Sequence, residues 1–134
     1  MKQYPLQTTG NGLFDITELV QDAVTASGVR SGIAVVMAPH TTAGITVFSF
    51  PDPLGLDDMN DEIDRLIPTR INFRHQHDTP QDAAGHIKSA LVGVSQSFIV
   101  EDGVLVLGHS QKIYFFEFDG PRSRQIYVQV VASA

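Results

Sequence analysis

Residues 112–131 read KIYFFEFDGPRSRQIYVQVV. Two runs rich in β-branched and aromatic residues, Lys112 to Asp119 and Gln125 to Val131, are punctuated by Gly120-Pro121, so the stretch predicts a final pair of strands. Just upstream, Ser97 to Glu101 and Val104 to Leu107 flank Asp102-Gly103, a strong hairpin signal. The last third is therefore a block of antiparallel strands. Such a block at the end of the chain predicts an α+β fold instead of alternating βα units.

Working back toward the start, Asp82 is placed to cap a short helix running through His86, Ile87, Ala90 and Leu91 to Gly93. Leu56 to Ile67 carries apolar residues at Met59, Ile63, Leu66 and Ile67 with acids opposite, an amphipathic helix stopped by Pro68. Ile33 to Ala38 and His40 to Phe50 read as strands, and together as a pair. The opening strand, Lys2 to Thr9, is followed by the turn Gly10-Asn11-Gly12. A helix is expected directly after it, capped by Asp15 with Glu18 three residues on, striped by Ile16, Leu19, Val20, Ala23 and Val24, and ended by Gly28. Between the last two helices lies a polar connection, Thr69 to Gln81. It holds Arg74, His75, His77 and Asp78, and long loops of this kind are commonly functional.

A chain of 134 residues fits one domain, 1–134, able to bury a real core. No stretch approaches the roughly 20 apolar residues of a membrane helix. Nine Lys+Arg against fifteen Asp+Glu give a net charge of −6, the wrong sign for gripping a phosphate backbone. Nucleic acid and membrane are therefore not expected partners. The chain has no cysteine, so a metal must be held by His, Asp, Glu or water. The polar N-terminus has no signal-peptide pattern, and the expected location is the cytoplasm.

Asp82 and His86 are four apart and share a helix face, where the pair can ligate a metal or the carboxylate can orient the imidazole. The bland alternative is a helix cap and a surface histidine. If residues 75–77 are extended, His75 and His77 point to one side, which suits a divalent ion. For His77 the preferred reading is a solvated loop residue. On the strand from Gln111, alternation puts Gln111, Ile113, Phe115, Glu117 and Asp119 on one side. Acids sharing a face with apolar residues fit solvated carboxylates at a barrel end, or paired carboxylates with a chemical task. Arg122 and Arg124, like Arg74 and Lys88, can meet an anionic group or only solvent. Nucleotide, serine-hydrolase and zincin motifs are absent.

The segments His40-Thr41-Thr42-Ala43, Arg74-His75, Gly85-His86-Ile87-Lys88-Ser89-Ala90-Leu91 with Gly93, Gly108 with Gln111, and Glu117-Phe118-Asp119-Gly120-Pro121-Arg122 together resemble the YjbQ-like family. That family is described as a secondary thiamine-phosphate synthase, and the resemblance covers nearly the whole chain. It implies an α+β fold with a barrel-like antiparallel sheet and about three helices, assembled as a homotrimer. It also implies that His40, His75 and His86 meet as a metal or phosphate site, with Asp82, Gln111, Glu117 and Arg122 around it. His77 and His109 match no motif position. The chain departs from the pattern at Phe48, Ser49, His109 and Phe116, where similar proteins carry other residue types.

The expected activity is a transferase joining a pyrimidine pyrophosphate to a thiazole phosphate, so that the partner is a phosphorylated small molecule. His75, His86 and Glu117 are the candidate catalytic residues, and Lys88, Gln111 and Arg122 the candidate substrate-binding ones. The cofactor is a divalent metal, zinc or magnesium, on His40, His75 and His86. The rival expectations are a metal- or small-ligand-binding protein without turnover, and a hydrolase using metal-bound water.

Overall fold

Which strands pair is decided by sequence-distant partners. The computed structural model describes residues 1–134. Its elements are β1 (Lys2–Gln7), β2 (Gly12–Asp15), α1 (Thr17–Ser27), β3 (Gly32–Met37), β4 (Ala43–Ser49), α2 (Pro53–Leu66), α3 (Pro80–Val92), β5 (Ser95–Glu101), β6 (Val104–Leu105), β7 (Gln111–Glu117) and β8 (Ser123–Ala132). They form a five-stranded sheet, β1-β8-β3-β5-β6, and a three-stranded one, β2-β7-β4. Every pairing is antiparallel, and with three helices the fold is α+β with a curled, half-barrel sheet arrangement. No helix is long and apolar enough to cross a membrane.

Two expected pairings are replaced. β3 pairs with β5 and β8 while β4 pairs with β7, so β3 and β4 lie in different sheets. β7 and β8 are also parted, with Gly120-Pro121-Arg122 carrying the chain from one sheet to the other. The reason is visible in β7, whose residues from Ile113 onward are all buried. Ile113 and Phe115 join α1, β3 and β8 in the main core, whereas Phe116 and the following Phe118 pack on Ile63 of α2. A strand apolar on both sides must be covered on both, and the two-sheet arrangement supplies that cover. The expected solvation of its acids at a barrel end is overturned, because Glu117 is fully buried.

The helix starts also shift. A four-residue strand, β2, stands between the Gly10–Gly12 turn and α1. Asp15 ends that strand, and its Oδ1 accepts from the Thr17 N–H at 2.9 Å, while Ile16 occupies the cap position. Gly28 closes α1 at φ 72°, as expected of a left-handed terminator. α2 begins three residues before Leu56, with Pro53 as its first residue behind the cap Asp52. α3 begins earlier than expected, with Pro80 in its first turn and Thr79 as its cap. The Thr79 hydroxyl accepts the Asp82 N–H at 3.1 Å, which frees the Asp82 carboxylate for other partners.

Candidate functional site

The connection between α2 and α3 is pinned where it matters. Phe73 is buried against Ala83 and Ala84 of α3, and the Arg70 guanidinium lies 4.5 Å from its ring centre. This anchors the loop on the first turns of α3 and brings His75 over them.

Asp82 and His86 lie one turn apart on α3, with His86 Nε2 at 3.0 Å from Asp82 Oδ2. His75 Nε2 approaches the same oxygen at 3.4 Å. These three ligand atoms all lie within 4.8 Å of one another. On its other side, His86 Nδ1 is 3.1 Å from the Thr41 carbonyl. A carbonyl only accepts, so Nδ1 carries the proton of that bond and Nε2 turns its lone pair toward the carboxylate. Two lone pairs so opposed require a cation between them, a proton or a metal. Burial opposes ionisation of Asp82, but with a proton on His86 Nε2 the His86 charge and the hydrogen bonds from His75 and His86 outweigh it and hold its carboxyl below the usual range.

His40 stands apart from this trio. Its Nε2 accepts the Gln125 N–H at 2.9 Å, which uses the acceptor nitrogen of a neutral imidazole. Burial first, then the Arg124 charge, lower its pKa. It nonetheless faces the same space, since it lines one pocket with His86 and another, of about 360 Å³, with Asp82, Arg122 and Arg124. His77 is close to His75, with ring centres 6.3 Å apart, but is outside the trio. His109 is exposed on the β6–β7 connection.

Beneath the pocket lies a buried ion pair. Arg124 donates through Nε to Glu117 Oε1 at 2.8 Å and through Nη2 to Oε2. Thr8 Oγ1 donates to Oε1 at 2.7 Å, and the N–H groups of Phe118 and Asp119 reach Oε2. Five donors on about four lone-pair sites leave Glu117 nothing to offer a substrate. Burial pushes its carboxyl up, but Arg124 and Thr8 pull harder and leave it below its ordinary value. Arg124 also donates to the Thr42 hydroxyl at 2.8 Å. It thereby ties β8 to the residues that precede β4, including the Thr41 carbonyl that orients His86.

The remaining sequence candidates divide. Arg122 reaches the pocket, with Nη2 donating to Asp119 Oδ2 at 2.8 Å and Nε to the Asp119 carbonyl at 2.9 Å. That carboxylate raises its pKa. Lys88 is turned away, 2% exposed and paired with Asp64 of α2. Gln111 begins β7 and bonds the Gly108 N–H. It lies six residues, about 20 Å, from Glu117 along the strand. Two further arginines, Arg124 and Arg70, line pockets that border the trio. Arg124 shares its strand face with Ile126 and Val128, so alternation was the signal that places it inside. Arg70 had none, because loops have no period.

A family model described as UPF0047 protein YjbQ-like matches residues 2–133. A UPF0047 protein of Methanocaldococcus jannaschii is 45% identical over 119 residues, 89% of this chain and 84% of its own. The UPF0047 protein YugU of Bacillus subtilis is 40% identical over 134 residues, 98% of each. Among solved structures, an uncharacterised YjbQ/UPF0047-family protein of Clostridium acetobutylicum superposes with a TM-score of 0.92 at 42% identity, covering 98% of this chain and all of that one (100%). A protein of unknown function from Sulfolobus solfataricus does so with a TM-score of 0.92 at 28% identity, covering 98% and 96%.

Proposed function

The chain belongs to the YjbQ-like UPF0047 family, and from that premise we propose that His75, Asp82 and His86 hold a divalent metal which serves chemistry on a phosphorylated small molecule. The observation carrying this reading is the convergence of two imidazole Nε2 atoms on one carboxylate oxygen. Donors about 2.1 Å from a shared ion stand about 3.0–3.4 Å apart at near-octahedral to tetrahedral angles, which matches the separations to Asp82. Two imidazoles and a carboxylate suit zinc or a similar ion and leave positions open for substrate. Such an ion would supply positive charge to a phosphate or diphosphate oxygen.

The protein's own groups do the positioning. Thr41 fixes the His86 ring, Thr79 holds the first turn that carries Asp82, and Arg122 lines a pocket with Asp82. The reaction this reading favours is transfer of a pyrimidine pyrophosphate to a thiazole phosphate with release of pyrophosphate. A homotrimer belongs to the same reading, supported by Ile33, Ile99 and Val131, which meet on the outward face of the larger sheet and are about half exposed. A second reading, binding without turnover, is favoured by the saturation of Glu117 and the turning away of Lys88.

The test is to incubate metal-loaded protein with the two phosphorylated substrates and follow pyrophosphate. Release by the native protein, lost in a folded His86→Ala variant, supports the transferase. No release from protein that binds metal at this site leaves the binding reading standing.

A further inference from the structure

We infer that Arg70 and Arg74 form a phosphate-binding subsite beside the His75–Asp82–His86 trio, fitted to a phosphate monoester with an apolar body. The inference deepens the proposed function and rests on it for the role of the subsite, though the anion binding itself does not depend on a metal. A pocket of about 570 Å³ is lined by Arg70, Asn72, Arg74, His75, His86 and Ile87, with Phe73 and Ala83 at its floor. That volume lies within the range of small-molecule sites. None of its lining residues is acidic.

Charge pairing and position together single these two arginines out, since Arg30 also lacks a carboxylate partner but lies beside Gly103 and does not line this pocket. In a chain of net charge −6, Arg65, Arg122 and Arg124 each pair with a carboxylate. Neither Arg70 nor Arg74 does. Arg70 is held by its stacking on Phe73 and a 3.2 Å bond to the Asn72 side chain, while Arg74 has no side-chain hydrogen bond. Phe73 is itself seated on α3, so Arg70 is fixed relative to the helix that carries Asp82 and His86. Two guanidinium forks suit the several oxygens of a phosphate dianion. Exposed Ile87 offers the adjoining body an apolar contact. In the pocket that Asp82 lines with His40, Arg122 and Arg124 are already neutralised by Asp119 and Glu117. The geometry therefore directs the anionic end of a ligand to the Arg70 side and its reacting end to the trio.

Calorimetric titration of metal-stripped protein with phenyl phosphate tests this. The native protein is expected to bind it in preference to benzoate. Arg70→Ala/Arg74→Ala should weaken binding at least about tenfold, and Arg70→Lys/Arg74→Lys should fall between because it keeps charge but loses the forks. Arg30→Ala, which removes one charge beside the β5–β6 hairpin, should bind as the native protein does. The inference is overturned if the native protein does not bind phenyl phosphate, if the double alanine variant binds it equally, if benzoate binds better, or if Arg30→Ala weakens it as much. Zinc titration of the same samples separates the two claims: loss of metal uptake with phosphate binding retained counts against the trio alone, and the reverse counts against the subsite alone.

Discussion

His86 Nε2 lies 3.0 Å from Asp82 Oδ2, one turn away on the same helix, while its Nδ1 is engaged with the Thr41 carbonyl from a different part of the chain. The helix thus sets the spacing of the pair and the Thr41 backbone sets the orientation of the ring. This division of labour makes the arrangement of the trio depend on groups outside it.

Thr79→Ala should show that dependence. Loss of the hydroxyl that accepts the Asp82 N–H should cost about 1 kcal/mol. It should also weaken metal binding by fraying the turn that carries Asp82. Chemical denaturation and metal titration of the same variant check both effects.

Arg124→Ala should be far more damaging. It strands the fully buried Glu117 carboxylate, and breaking such a pair from one side costs about 3–5 kcal/mol. Equilibrium denaturation should show the loss, and Arg124→Ala/Glu117→Gln should recover part of it.

Acid should destabilise the protein partly through Glu117. Its folded pKa is lowered from an ordinary value of 4.5. Its stabilisation is therefore complete above that value and disappears as pH falls through the lowered one. A melting-temperature series from about pH 7 to about pH 3 should fall less steeply for Glu117→Gln than for the native protein.

Lys88→Met should leave metal and phosphate binding unchanged, since Lys88 points to Asp64 and not to the pocket. Asp64 is half exposed and stays hydrated, and Met replaces the buried stem, so the stability cost should be about 1 kcal/mol or less. Weakened ligand binding in a folded variant would restore Lys88 to the site.

Local patterns carried much of this fold, and non-local ones did not. Alternation along β7 correctly put Glu117 with Ile113 and Phe115, and the four-residue spacing correctly put Asp82 beside His86. The Asp102-Gly103 signal marks a real hairpin, with both residues at positive φ. Strand partners were misread because β3 and β4 are neighbours in sequence but are claimed by stronger partners elsewhere. The four residues of β2 are too short to announce a period. The helix caps slipped because Asp15 and Asp82 compete with Ile16 and Thr79 for the same turns, and only geometry decides. His40 carries a family motif, yet the Gln125 N–H that occupies its Nε2 lies 85 residues away, where no spacing rule reaches.

The most direct test of the account is calorimetric titration of metal-stripped protein with zinc, run on the native chain and on His86→Ala, Asp82→Asn and His40→Ala. One ion per chain is expected, with binding weakened at least about tenfold by the first two substitutions and retained in His40→Ala. No uptake by the native protein, or uptake that survives His86→Ala and Asp82→Asn, would contradict it.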